Sequence, residues 1–144
     1  MEKIRAWTLA DIPAIVALER ACFSDPWTAE AWLGAIPRAD VFGFVAEENG
    51  ELVGFACGTA LFEDSEIWKV AVRETMRGKG LGGALTDALL NEAKARGAQR
   101  TFLEVRVGNQ AAIGLYRSRG FETTRERKKY YADGEDALEM KKDL

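Results

Sequence analysis

Arg77-Gly78-Lys79-Gly80-Leu81-Gly82-Gly83 is the stretch on which the fold turns. Four glycines fall within its last six residues, between an apolar run ending at Val72 and a segment of helical period. Glycine takes positive φ freely and lets a ligand approach the backbone closely. The N–H groups at a helix start, reinforced by the positive end of its dipole, form an anion site. Arg77 and Lys79 add charge. A flexible surface turn is the plain alternative, but so dense a cluster at a strand-to-helix junction favours a binding loop.

The elements follow outward from that loop. Leu81, Leu85, Ala88, Leu89 and Ala93 share one helical face, and Gly97 ends the helix. Thr101 to Val105 reads as a strand and Gln110 to Ser118 as a short helix stopped by Gly120. Phe121 to Tyr131 and Ala137 to Lys142 read as a closing strand pair around Asp133-Gly134. On the N-terminal side, residues 4–7 form a short edge strand, and Thr8 caps a helix carrying Ile12, Ile15 and Val16. Asp25-Pro26-Trp27 interrupts, and Thr28 caps a second helix with Trp32, Leu33 and Ile36. Three strands come next: Phe42 to Ala46, Leu52 to Leu61 and Glu66 to Val72. The first two join through Asn49-Gly50, a pair suited to a tight hairpin turn. The order β-αα-βββ-α-β-α-ββ predicts an α+β fold with a mixed sheet, in one domain spanning residues 1–144.

Composition narrows the chemistry. The chain has 144 residues, 20 Lys plus Arg against 23 Asp plus Glu, and a net charge of −3. That balance argues against a general nucleic-acid binder. No apolar run approaches a membrane span, and Met1-Glu2-Lys3-Ile4-Arg5 lacks a signal peptide's apolar stretch. Neither nucleic acid nor membrane is expected as a partner. Cys22 and Cys57 make no C-x-x-C pair, so a reduced, cytoplasmic setting is expected. Histidine is absent. This removes Ser-His-Asp and Cys-His triads and most zinc sites, so no metal is expected. Proton transfer falls to Glu, Asp, Lys, Tyr, Cys or water.

Two specific ligands compete for the loop. Gly78, Gly80 and Gly83 fit G-x-G-x-x-G, with Glu104 about 20 residues on, as a dinucleotide fold requires. The context disagrees, because Arg73 to Arg77 separate the strand from the first glycine and no βαβ unit precedes it. The phosphate-loop pattern fails outright, since Gly80 follows Gly78-Lys79 where Ser or Thr is needed. The other reading is R/Q-x-x-G-x-G/A, filled by Arg77, Gly80 and Gly82. With Leu103-Glu104-Val105-Arg106, Asn109-Gln110-Ala111-Ala112-Ile113, Leu115-Tyr116, Gly120-Phe121 and Tyr130-Tyr131-Ala132-Asp133-Gly134-Glu135-Asp136-Ala137, the chain resembles the GNAT family of N-acetyltransferases. Within it, the chain resembles the protein N-terminal, ribosomal-protein-alanine group. The likeness covers almost the whole chain and implies a mostly antiparallel mixed sheet of about seven strands flanked by about four helices.

The resemblance implies acetyl-CoA as co-substrate. Backbone groups of Val70, Ala71 and Val72 would hold its pantetheine arm by imitating a strand. The N–H groups of Gly78, Lys79, Gly80, Leu81, Gly82 and Gly83, with Arg77, would cradle its pyrophosphate. Asn109 would reach it too, a role compatible with capping the next helix. Two departures from the family pattern stand out: Gly78 where Arg is frequent, and Lys69 where Asn is frequent, on the acceptor side.

Amide formation requires a neutral amine and a stabilised leaving thiolate. Strand alternation puts Phe102, Glu104 and Arg106 on one face, making Glu104 the candidate base, or else the partner of Arg106 in an ion pair. Tyr116 is the candidate acid, or else a core aromatic. A tyrosine near pKa 10 protonating a thiolate near 8.5 is uphill by about 2 kcal/mol, so hydrogen bonding to the sulfur and full donation both stand. A neutral α-amine costs about 1.4 kcal/mol at pH 7 and a neutral lysine about 4.6 kcal/mol, which favours a protein N-terminus as acceptor. Alternation sends Tyr130 and Tyr131 to opposite faces, with Tyr131, nearer the turn, the one expected to meet the acceptor. Trp27 and Phe23 line its entrance or simply pack the helix pair. Asp133, Glu135 and Asp136 read as a solvated turn that attracts a basic substrate such as a ribosomal protein. Transfer to lysine or small amines, and a non-catalytic acyl-CoA sensor, are the alternatives; the sensor has no need of Glu104 and Tyr116.

Overall fold

The structure, a computed structural model, describes residues 3–144; Met1 and Glu2, which begin the amino-terminal segment read above, lie outside the described residues. The strands are β1 (Lys3–Ala6), β2 (Val41–Glu48), β3 (Glu51–Leu61), β4 (Asp64–Val72), β5 (Arg100–Arg106), β6 (Glu122–Arg127) and β7 (Ala137–Asp143). The helices are α1 (Ile12–Cys22), α2 (Ala29–Ala35), α3 (Leu81–Ala95) and α4 (Gln110–Ser118). One seven-stranded sheet runs β1-β2-β3-β4-β5-β7-β6. Among the described residues only β4 and β5 pair in parallel.

The sheet buries two apolar layers. Leu85, Leu89, Leu103, Ile113 and Met140 join α3 and α4 to one face. Ile15, Trp32, Val45 and Phe55 join α1 and α2 to the other. The predicted caps form: Thr28 accepts from Ala31 N at 3.2 Å and Asn109 from Ala112 N at 3.2 Å. Asn49 and Gly50 take the left-handed φ values of 53° and 80° that their hairpin requires.

Two expectations need correction. The first helix does not start at Thr8. A 3-10 turn covers Leu9–Asp11, and α1 begins only where Pro13, which has no N–H to donate, fits the first helical turn. The strand predicted through Tyr131 stops at Arg127. Lys129 has φ 52°, and its N–H is captured by Asp136 Oδ1 at 2.8 Å, so residues 128–136 fold back as a loop. Tyr130 and Tyr131 therefore sit on a loop, where strand alternation does not apply.

Two irregularities open the sheet. Cys57 pairs with Lys69 and Gly58 with Ile67, leaving Trp68 without a partner in β3. This β-bulge turns Trp68 and Lys69 to the same side. Second, β4 and β5 share register only from Asp64–Arg100 to Glu66–Phe102 and then diverge. A wedge widens between Ile67–Val72 and Leu103–Arg106.

Candidate active site

The wedge edge of β4 is backbone. Arg73 N donates to Val53 O at 2.8 Å. Antiparallel alternation then commits Ala71, opposite Phe55, to the β3 ladder and turns the polar groups of Val70 and Val72 into the wedge. Of the three residues expected to offer backbone there, Val70 and Val72 do and Ala71 does not. Arg77 Nε already donates to Val72 O at 3.0 Å, tying the loop to this edge.

At the wide end of the wedge lies the glycine loop. Gly78 and Gly80 have φ near 80°, and a Cβ on either would meet only open space. Gly80 caps α3 in the left-handed conformation, so the N–H groups of Leu81, Gly82 and Gly83 lead out of the helix unpartnered. Arg77 and Lys79 flank them. A strand edge ending at an anion-binding turn suits a long thiol carrier with a diphosphate at its far end.

A cavity of about 670 Å³ opens beside the wedge, lined by Glu104, Tyr116, Asn109, Tyr130, Tyr131 and Trp27 among others. The sequence had scattered these six across 105 positions, and the fold brings them together. Glu104 ends β5 on the cavity side. Tyr130 donates its hydroxyl hydrogen bond to Glu104 Oε1 at 3.1 Å, and Arg127 Nε stands 3.9 Å from Oε2. Arg106 is not the partner of Glu104: it stacks on Tyr131 at 4.0 Å and bridges Asp133 at 2.9 Å and Glu135 at 3.1 Å. Asp133 stays in solvent, 58% exposed, as expected, and Glu135 is half-buried; both pair with Arg106. The Tyr131 hydroxyl is pushed up to about 12, chiefly by burial.

Tyr116 comes from the opposite layer, 7% exposed, with its ring edge-on to Phe121 at 5.7 Å. Burial pushes its hydroxyl well above the ordinary tyrosine value. The core reading and the catalytic reading both hold of it, since the ring packs while the residue lines the cavity.

The sequence pattern concealed three features. Glu19, fully buried in α1, binds Lys69, and its Oε1 accepts from Trp27 N at 2.9 Å and Trp32 Nε1 at 2.9 Å. The Lys69 ammonium also stands 4.8 Å and 4.9 Å from the Phe23 and Trp27 ring centroids. Phe23 and Trp27 accordingly line the cavity as well as packing the helix pair. Arg106 reaches Asp25 at 3.8 Å, joining the 23–28 loop to the 128–136 loop. Glu66, next to the bulge, faces the same cavity. Only Lys69 carried a signal, as a departure from the family's Asn.

Residues 12–121 match the acetyltransferase (GNAT) family. The chain belongs to that family. This GNAT enzyme is 35% identical over 141 residues to the putative ribosomal protein bS18-alanine N-acetyltransferase of Bacillus subtilis, covering 95% of the chain and 92% of the relative. It is 33% identical over 143 residues to the ribosomal protein bS18-alanine N-acetyltransferase of Escherichia coli K12, covering 97% and 96%. The crystal structure of the ribosomal-protein-S18-alanine N-acetyltransferase from Escherichia coli superposes with a TM-score of 0.92 at 31% identity, covering 100% of this chain and 94% of that one. The seven-stranded mixed sheet with four helices is the fold the sequence predicted.

Proposed function

We propose that the chain, working as one domain, transfers the acetyl group of acetyl-CoA to the N-terminal α-amine of a protein. A ribosomal protein beginning with alanine is the acceptor to which its relatives' names point. The reading is carried by one observation: Glu104 and Tyr116, from opposite layers, line the same cavity at the mouth of the β4–β5 wedge.

Acetyl-CoA is a substrate here, and the residues present fit it. Val70 and Val72 offer backbone to its pantetheine arm, residues 78–83 offer N–H groups to its pyrophosphate, and Asn109 lies at the inner end. Glu104 takes the proton released as the amine nitrogen bonds to the thioester carbon. The C–S bond breaks, and the sulfur leaves with the electron pair. Tyr116 donates a hydrogen bond to that sulfur. Its raised pKa makes full proton donation the harder course, so hydrogen bonding is the role we assign. No metal takes part in this scheme, and neither nucleic acid nor membrane is a required partner. A ribosomal acceptor places the reaction in the cytoplasm. Among the described residues no helix is long and apolar enough to cross a membrane.

Peptides differing in their first residue, each with an N-terminally blocked control carrying an internal lysine, test the proposal. Acetylation of the free Ala peptide with little reaction of its blocked control is expected. Efficient transfer to the blocked lysine peptide or to a free polyamine places the enzyme among lysine or small-amine acetyltransferases. Binding of acetyl-CoA without turnover on any amine makes it a sensor.

A further inference from the structure

Gly83 is a glycine without a conformational reason. It lies in the first turn of α3 and, unlike Gly78 and Gly80, has no positive φ. Glycine inside a helix is less stable than alanine. What excludes a side chain is Arg119: a Cβ on Gly83 would overlap its guanidinium, whereas one on Gly78 or Gly80 meets open space. The chain thus keeps a slot on the first turn of α3 and fills it with a cation from the end of α4.

That is the unfavourable end of α3 for a positive charge, since its free N–H groups and dipole are already positive there. The counter-charge is slight. Among the described residues Asp87 is the carboxylate paired with Arg119, and it is 53% exposed. Its oxygens stand 3.2 and 3.4 Å from Nε and Nη2, beyond the roughly 2.7–2.9 Å of a close charge-assisted bond. Nη1 donates to Ser118 Oγ at 3.1 Å. A planar guanidinium so loosely paired suits a phosphate dianion.

Its position says which phosphate. A Cβ on Gly82 would stand 3.5 Å from Leu115 and 3.7 Å from Val72, so that side of α3 continues the carrier edge. Gly83 faces the next side round the helix, where Arg119 is 30% exposed at the rim. Beyond its diphosphate, acetyl-CoA carries a ribose bearing one more phosphate. With the arm on Val70 and Val72 and the diphosphate on the loop N–H groups, that ribose emerges at the first turn of α3.

We propose that Arg119, seated on Gly83, binds the ribose phosphomonoester of acetyl-CoA and sets a preference for the fully phosphorylated carrier. This deepens the acetyl-CoA reading and rests on it. Gly83 makes the room, and Arg119 supplies the charge.

The test compares acetyl-CoA with acetyl-dephospho-CoA, which lacks only that phosphate, as donors to one Ala peptide. The wild type is expected to favour acetyl-CoA by about tenfold in kcat/KM, near the low end for a hydrogen bond to a charged group. Arg119→Gln should bring the ratio close to one by slowing acetyl-CoA alone. Gly83→Ala, which keeps its N–H but displaces the guanidinium, should lower the ratio as well. A lost diphosphate contact would slow both donors alike and leave the ratio unchanged. Equal use of the two donors by the wild type, or an unchanged ratio in both variants, overturns the role of Arg119 alone. No transfer from either donor, with no rise in melting temperature from acetyl-CoA, overturns the acetyl-CoA reading and this role with it.

Discussion

Tyr130 donates its hydroxyl hydrogen bond to Glu104 from a loop that carries no regular structure, 3.1 Å from donor oxygen to acceptor. The candidate base is thus oriented by the segment that also walls the acceptor. Glu104→Gln should lower kcat by about 10²–10⁴-fold, the usual loss on removing a general base. The rise in melting temperature given by acetyl-CoA should persist, because that ligand binds elsewhere on the folded state. Tyr130→Phe should lower kcat/KM by about 12- to 160-fold, the worth of one hydrogen bond to a charged carboxylate, and by more than Tyr131→Phe does. Steady-state kinetics on one Ala peptide checks the three variants, and melting with and without acetyl-CoA checks the ligand shift.

Tyr116 offers a contrast between activity and stability. Only burial and the neighbouring Cys57 act on its hydroxyl, with no hydrogen bond contributing. Tyr116→Phe should therefore change unfolding free energy by less than about 0.5 kcal/mol. Turnover should fall by about 10²-fold if the hydroxyl stabilises charge on the leaving sulfur. Urea titration alongside kcat measurement separates the two effects.

The Glu19–Lys69 pair holds the acceptor wall from below. Lys69→Met leaves the buried Glu19 carboxylate without its cation and should destabilise by about 3–5 kcal/mol. Adding Glu19→Gln should recover much of that loss, since the amide oxygen still accepts from Trp27 N and Trp32 Nε1. A double-mutant cycle by denaturant unfolding measures the coupling, and additive losses would show that the pair is not linked.

Asp11 supplies an acid-sensitive contribution to stability. Arg5 binds both its oxygens, at 2.8 and 2.9 Å, and holds its carboxyl below the ordinary value, as does the Thr8 N–H. A depressed carboxyl stabilises the fold above its unfolded pKa, near 3.9, and that contribution fades as pH falls through the lower folded value. Asp11→Asn should cost about 1.5–3 kcal/mol at pH 7. The gap to wild type should narrow as pH falls below about 3.9. Melting curves between pH 2 and 7 show whether it does.

Much of this was written in local signals. Asn49-Gly50 fixed its hairpin, Thr28 and Asn109 their helix starts, and Gly78 and Gly80 the left-handed turn into α3. Glu104 stood out because a chain without histidine has few candidate bases. Other features depend on partners distant in sequence. The bulge at Trp68 exists only in relation to Cys57 and Gly58, where a side chain on Gly58 would strike the Glu66 carbonyl. Without that bulge, simple alternation fails to put both Glu66 and Lys69 beside the cavity. Glu19 reads as the polar face of a helix until Lys69 arrives from 50 residues away. The tyrosine pair misled because its strand stops at Arg127, before Lys129, whose left-handed backbone answers to Asp136 rather than to its own residue type.

The brief parallel register between β4 and β5 has a mechanical consequence. Beyond Glu66 and Phe102 the sheet is two ribbons, β1 to β4 and β5-β7-β6, hinged at one end like a book held by its lowest stitches. Whatever lies along the open edge of Val70 and Val72 acts as the missing strand between them. Substrate occupancy and the cohesion of the sheet are therefore one quantity seen from two sides. Amides along the wedge should exchange with solvent at a rate set by how often that strand is in place.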